Sequence, residues 1–286
     1  MSIYCDRGFN QGLQEMFSEH IRLIFDKIPI IDSKGFMFEC TQDQFYLNIP
    51  GIARFLALPE KHQIIIEKTS LETDDQILHT WLYGTVIAYI LQYHGYLVLH
   101  GSAVLMKDAA VIFSGPSGAG KSTLARACLQ QGYSLITDDL VVIKPNQQGQ
   151  YCIIPGPAKL KLWQDTMHYF NHDLHNAMPI NQKINKYAIQ ISHMCHQPMI
   201  PVVGFYALNT AEAFHCERLN AAESLKTLIQ NTYRYFMLKP LGKLQTFFHD
   251  CSALSKQIAV HKLTRTPHFD ELPPMVQHIK RNQGLL

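Results

Sequence analysis

No Cys-x-x-Cys pair occurs among the seven cysteines, Cys5, Cys40, Cys128, Cys152, Cys195, Cys216 and Cys251, which are odd in number and scattered. That excludes a regular disulfide framework and fits reduced thiols, so the expected location is cytoplasmic. An excess of one charge is lacking too. The formal net charge is +2 and no basic stripe is present, which speaks against a nucleic-acid partner. The opening MSIYCDRGFNQ lacks the apolar core of a signal peptide. His168, His172, His175, His193 and His196 match no strong metal spacing and read as solvated or hydrogen-bonded side chains. Internal repeats and low-complexity tracts are absent. With 47% hydrophobic and 17% charged residues over 286 positions, the composition is that of a globular chain with a substantial core.

One uncharged run stands out. Residues 81–99 contain no Asp, Glu, Lys or Arg, a length that raises the question of a bilayer span. Gln92, His94 and four tyrosines make it a poor one. It reads instead as a helix, capped by Asp74 or Asp75 and ended by His94-Gly95, followed by a strand over 96–99. No membrane partner is expected. Upstream, the spacing predicts a helix around 13–25 and strands over 35–40, 45–49 and 62–67, while 52–58 stays open between states. Residues 1–95 thus form a small α/β N-terminal unit, and residues 96–286 a second domain.

That domain carries a phosphate-binding loop. Ala110, Val111, Ile112 and Phe113 form a buried strand, and residues 115–122 fit G-x-x-x-x-G-K-[ST]. Gly115, Gly118 and Gly120 allow positive φ, so the loop can turn its N–H groups inward. Lys121, read as an exposed loop side chain, places a charge on the β- and γ-phosphates of a nucleotide. Ser122 offers a hydroxyl to Mg²⁺. Residues 123–131 form the following helix, its positive end toward the anion, and Gly132 stops it.

Further on, residues 133–136 read as a strand ending at Thr137-Asp138-Asp139. Residues 140–143 and 151–154 make a hairpin around NQQGQ. Leu160, Leu162 and Trp163 are expected to pack. Lys159 and Lys161 read as the outward side of a strand, with a substrate or phosphate contact as the alternative. A strand over 202–208, a helix from 221 to 230 or on to Arg234, a strand over 257–263 and a helix over 273–282 complete the chain. A Walker-type loop needs an acidic partner for its metal, and a kinase needs a group to orient or deprotonate the attacking hydroxyl. The Asp138-Asp139 pair can supply both.

His100-Gly101-Ser102, GPSGAGKST, Asp138-Asp139 and PGPAKLKLW at 155–163 stand in that order. Together they resemble the HPr kinase/phosphorylase catalytic domain and the looser HPr-kinase-like serine kinases, some of which act on lasso-peptide precursors. The motif match covers about residues 96–163. A weaker likeness extends through Asn231-Thr232-Tyr233-Arg234. The resemblance implies an α/β, mixed-sheet P-loop domain shared with phosphoenolpyruvate carboxykinase, using ATP and Mg²⁺ to phosphorylate a serine or other hydroxyl of a protein or peptide. It implies nucleotide binding by Gly115, Pro116, Ser117, Gly118, Ala119, Gly120, Lys121, Ser122 and Thr123. Asp138 then accepts or orients the acceptor's proton, His100 tunes it, and Lys121 completes the catalytic set. Ser122 and Asp139 hold Mg²⁺.

There are departures. Thr123 stands where the true HPr kinase/phosphorylases have Glu, and IIPGPAKLKLW holds no acid where their signature carries Glu and Arg. The N-terminal third does not resemble their regulatory domain. They assemble as hexamers, and an oligomer is an open expectation here. A small-molecule kinase on the same fold and a non-catalytic ATP-binding regulator are the alternatives. An ABC ATPase is excluded by the lack of LSGGQ. A GTPase is disfavoured because Asn185-Lys186-Tyr187-Ala188 lacks the guanine-reading Asp.

Overall fold

The segments ARFLAL and QIIIEK alternate buried with more exposed side chains, the period of a strand lying on a core. They are β4 (Ala53–Leu58) and β5 (Gln63–Lys68) of a five-stranded sheet with β1 (Arg22–Phe25), β2 (Met37–Cys40) and β3 (Phe45–Ile49), in the order β1-β5-β4-β3-β2. The structure is a computed structural model that describes residues 21–284 apart from 30–36, 71, 72, 74, 158, 174–176, 182, 183, 193, 194 and 196. Residues 22–25, expected in a helix over 13–25, are instead strand: Arg22–Phe25 pairs in parallel with β5. The part of that helix before residue 21 lies outside the described residues, as do His175, His193 and His196.

The uncharged run is helix followed by strand. Helix α1 (Asp75–Trp81) passes through a π turn (Leu82–Val86) into α2 (Ile87–Tyr93). Phe45, Phe55, Ile64 and Ile66 of the first sheet pack on Leu78, Leu82, Val86 and Ile90 of this segment. The same cluster takes in Val98 and Val142, so the small sheet is joined through the helix to strands beyond residue 96. Among the described residues no helix is long and apolar enough to cross a membrane.

The larger sheet contains β6 (Leu97–Met106), β7 (Ala109–Ser114), β8 (Ser134–Pro145), β9 (Tyr151–Ile154), β13 (Ile200–Thr210), β14 (His215–Arg218) and β15 (Ala259–Arg265). Their order is β14-β15-β13-β7-β6-β8-β9. It is mixed, with β13 parallel to both β7 and β15 and the other neighbours antiparallel. Helix α3 (Lys121–Gln130) lies with α7 (Leu272–Asn282) on one face. A three-stranded sheet joins that core, made of β10 (Lys159–Trp163), β11 (Met178–Asn181) and β12 (Ile184–Gln190). The short α4 (Gln164–Tyr169) follows β10. On the other face Leu228 of α5 (Ala221–Gln230) and Phe247, Cys251 and Leu254 of α6 (Leu244–Gln257) meet Leu99, Ile112 and Phe205.

Several expected boundaries moved. The strand at 133–136 does not stop at the acid pair: β8 runs unbroken through it. Helix α5 ends at Gln230, and Arg234 takes φ +51. Leu160 and Leu162 are buried, but Trp163 is 41% exposed, with Lys186 over its ring. Helix α6 occupies a stretch for which the sequence reading assigned no element.

Candidate active site

The loop starts from a fixed point, since Ala110 to Phe113 of β7 are wholly buried. Gly115 then takes φ +136, and a Cβ there would lie 2.3 Å from the Leu208 carbonyl of β13. No side chain fits that approach. Gly118 and Gly120 also have positive φ, +85 and +93. Lys121 is buried rather than exposed. Its ammonium donates to the carbonyls of Gly115 and Pro116, both at 3.0 Å, which folds it back along the loop. Burial lowers its pKa. The hydroxyl of Thr123 lies 3.2 Å from that of Thr166, on the core side of α3. Arg265 sits buried behind the loop, its guanidinium carbon 3.2 Å from where a Gly120 Cβ would be.

Register places the second motif beside the acids. Gly101 of β6 stands opposite Asp139, and Ser102 opposite Asp138. Consecutive strand residues normally point to opposite faces, yet both carboxylates reach one site. Asp139 has φ +71, a left-handed conformation that Asp tolerates better than most residues and that breaks the alternation. Asp138 Oδ1 accepts from Ser102 Oγ at 2.6 Å and from Ser122 Oγ at 2.9 Å, and its Oδ2 accepts from the Lys161 N–H at 2.8 Å. Asp139 Oδ2 is ion-paired with the Lys161 ammonium. A single residue of β10 therefore holds both acids, one by its backbone and one by its side chain. The sequence reading favoured a solvent-facing Lys161. Leu160 and Leu162 do turn into the core, but on the opposite face of β10 Lys161 meets the acids while Trp163 stays exposed.

These neighbours separate the two acids electrostatically. Burial, then the charge of Asp139, raises the pKa of Asp138, partly offset by its hydrogen-bond donors. Burial would raise Asp139 as well, but Lys161 and Lys186 outweigh it and hold that carboxyl at about 2. Lys161 is held above its usual value because the two carboxylates outweigh its own burial.

His100 is positioned by a remote segment. β7 ends opposite Gly101, and residues 231–233 take its place along β6: the His100 N–H donates to the Asn231 carbonyl at 2.8 Å, and the Tyr233 N–H to the Val98 carbonyl at 2.9 Å. The His100 Nδ1 donates to the Asp139 carbonyl at 3.2 Å. Burial, then Lys121, lowers its pKa, so the ring is neutral near pH 7. Ser102 and Ser122 therefore meet at Asp138, and His100 lies with Asp139. The expected partnerships were Ser122 with Asp139 and His100 with Asp138.

Two cavities flank this arrangement. One, of about 910 Å³, is bordered by Gly115, Pro116 and Ser117 of the loop and by α5. The other, of about 310 Å³, is bordered by Asp138, Asp139 and Lys161 and by the α1–α2 segment. His100, Tyr233 and Arg234 belong to the walls of both. Sequence reasoning left Lys161 and Arg234 without roles and gave none to Ser102 beyond its place in the motif. The alternation at β10 was a signal for Lys161, but its face could not be assigned without the neighbouring strand.

The family model described as SynChlorMet cassette protein ScmC matches residues 64–193. A curated protein named HPr kinase/phosphorylase from Mycoplasmopsis pulmonis is 32% identical over 134 residues, which is 46% of this chain and 36% of that protein. The chain thus matches little more than a third of that relative's length. A solved structure of the Hpr(Ser) kinase/phosphatase from Coxiella burnetii aligns over 66% of this chain and 96% of that one, at 15% identity and a TM-score of 0.35. The sequence similarity to an HPr kinase/phosphorylase thus extends over less than half of this chain.

Proposed function

We propose that the chain is an ATP- and Mg²⁺-dependent kinase that transfers the γ-phosphoryl group to a hydroxyl, serine first among candidates, of a protein or peptide. The observation that carries this reading is the bond from Ser122 to Asp138, which joins the phosphate loop directly to an acid pair beside a second cavity. The loop N–H groups and Lys121 would bind the phosphates. The hard oxygens of Ser122 and Asp138 suit a Mg²⁺ ion that takes most of its ligands from phosphate and water. Among the described residues no cluster of three or more His, Cys, Asp or Glu forms a self-contained metal site. When bound, the ion would neutralise charge on the phosphate oxygens.

The acceptor oxygen bonds to the γ-phosphorus, the bond from that phosphorus to the β–γ bridging oxygen breaks, and ADP leaves. The hydroxyl proton passes to a carboxylate. The family pattern implies Asp138 for that step and Asp139 for the metal. The Ser122 contact favours the reverse: Asp138 on the metal side, and Asp139, oriented by Lys161 and His100, toward the acceptor. The test is incubation with γ-labelled ATP, Mg²⁺ and hydroxyl-bearing proteins and peptides, including peptides encoded nearby. Label on a protein or peptide supports the reading. Label on small alcohols alone would favour a small-molecule kinase, and tight ATP binding with no transfer a regulator.

A further inference from the structure

The smaller cavity has walls of two kinds. Trp81, Tyr83, Leu91, Val142, Met178 and Ile180 make an apolar chamber, and Asp138, Asp139 and Lys161 close one side of it. The chamber and the loop cavity share His100, Tyr233 and Arg234 as wall residues. Its far wall contains the π turn, and such turns concentrate at functional sites. That turn packs closely on the shared wall: a Cβ on Gly84 would stand 3.2 Å from the Tyr233 hydroxyl.

Resting on the phosphoryl-transfer reading above, we propose that this chamber binds a bulky apolar group carried on, or directly beside, the acceptor hydroxyl. The acceptor is then an aromatic or branched-aliphatic alcohol or the same group in a peptide, and not a sugar or nucleoside. About 310 Å³ lies at the small end of ligand pockets, room for one such group. A polyol placed there would give up its water against a lining that is mostly apolar, an unfavourable exchange. An apolar body fills the chamber and leaves its hydroxyl at the acid wall, facing the cavity that holds the phosphate loop.

Ala188 gives a handle on the chamber. It lies between Lys161 and Met178 across the small sheet and faces the cavity, away from the core. The probes are 2-phenylethanol against glycerol, and N-acetylated Gly-Phe-Ser-Gly amide against its Gly-Asn-Ser-Gly counterpart. Binding is read by calorimetry in the presence of Mg²⁺ and a non-hydrolysable ATP analogue, and transfer with γ-labelled ATP. The phenyl-bearing probes should bind at least about ten-fold more tightly than their polar counterparts. Ala188→Phe should remove that preference while Mg·ATP affinity stays and thermal melting shows a folded chain. Ile180→Ala, which enlarges the chamber, should bind 2-(1-naphthyl)ethanol better than the parent does. Equal binding of phenyl and polar probes, or an unchanged preference in a folded Ala188→Phe variant, overturns the proposal. Preference for the free alcohol alone identifies a small-molecule acceptor, and preference for the peptide alone a peptide acceptor. Selective binding without label transfer leaves the chamber standing and removes the kinase reading.

Discussion

Residues 115–123 are contiguous, and Lys121 takes its two loop contacts from only six and five residues away. Asp138, by contrast, is held by Ser102, Ser122 and Lys161, which lie 36, 16 and 23 residues away. His100 depends on a segment beyond residue 230. A site of the first kind is fixed by local backbone geometry. A site of the second kind exists only when the strands β6, β8 and β10 have found their register. The two should therefore respond differently to substitution, the loop through ligand affinity and the acid wall through turnover and stability together.

The largest effect is expected from Lys121→Ala. Truncating one partner of a buried, hydrogen-bonded charge contact costs about 2–5 kcal/mol, a loss of Mg·ATP affinity of tens- to thousands-fold. Calorimetric titration with Mg·ATP measures it. Near-parental affinity would remove the loop from the site altogether.

The next effect divides the acid wall. If Ser122 and Asp138 work on the metal side, Asp138→Asn lowers Mg·ATP affinity as well as kcat. Asp139→Asn then leaves affinity nearly intact and lowers kcat by about 10²–10⁴, the range of a lost proton acceptor. His100→Ala lowers kcat too, and less than additively with Asp139→Asn if the two act as a unit. The opposite pattern in the two Asp variants restores the division implied by the family motif. Steady-state kinetics with parallel nucleotide titrations decides between them.

A smaller effect, with a sharp signature, is expected from Lys161→Met. With Lys186 its ammonium outweighs burial to hold Asp139 at about 2. Without it, burial is opposed mainly by Lys186 and the carboxyl titrates higher. Asp139 then takes up its proton at a higher pH, so the acid limb of the kcat profile moves to higher pH. An unmoved acid limb would show that Lys161 does not set the state of the acid that matters.

The difference between the regions also explains what could be read in advance. GPSGAGKST is legible because each residue type answers to its own backbone, and the positive φ at Gly115, Gly118 and Gly120 is written in their lack of a Cβ. The uncharged run read correctly as helix then strand because His94-Gly95 gives a local stop. The site face of Lys161 was not legible, because the alternation in KLKLW fixes which residues share a face but not what that face meets. The pairing of Ser122 with Asp138 was hidden for a related reason. Two adjacent acids look interchangeable until the left-handed turn at Asp139 sets their directions. Arg22–Phe25 has apolar spacing that suits a helix, and pairing with β5 overrode it. Helix α6 was readable in principle, since Phe247, Cys251 and Leu254 recur at four and three.

Ser114 is where the two regions touch, and it gives the finest test of their separateness. Its hydroxyl lies 2.9 Å from Asn231 Oδ1 and also contacts the His100 carbonyl, so one proton serves both acceptors. Its backbone leads directly into Gly115. Ser114→Ala removes the hydroxyl and leaves the loop backbone in place. The abandoned acceptors cost about 1–3 kcal/mol of stability, a fall in melting temperature of about 2–4 °C per kcal/mol for a chain of this order of size. Loosening the 231–233 segment against β6 lets His100 drift, so kcat should fall several-fold, by about 1 kcal/mol of transition-state stabilisation. Mg·ATP affinity should not change, because the loop N–H groups and Lys121 keep their own contacts. Thermal melting, steady-state kinetics and nucleotide titration on one preparation measure all three. If affinity falls in step with kcat, the loop and the acid wall are a single cooperative unit, and the contrast between a locally fixed site and an assembled one does not hold for this protein.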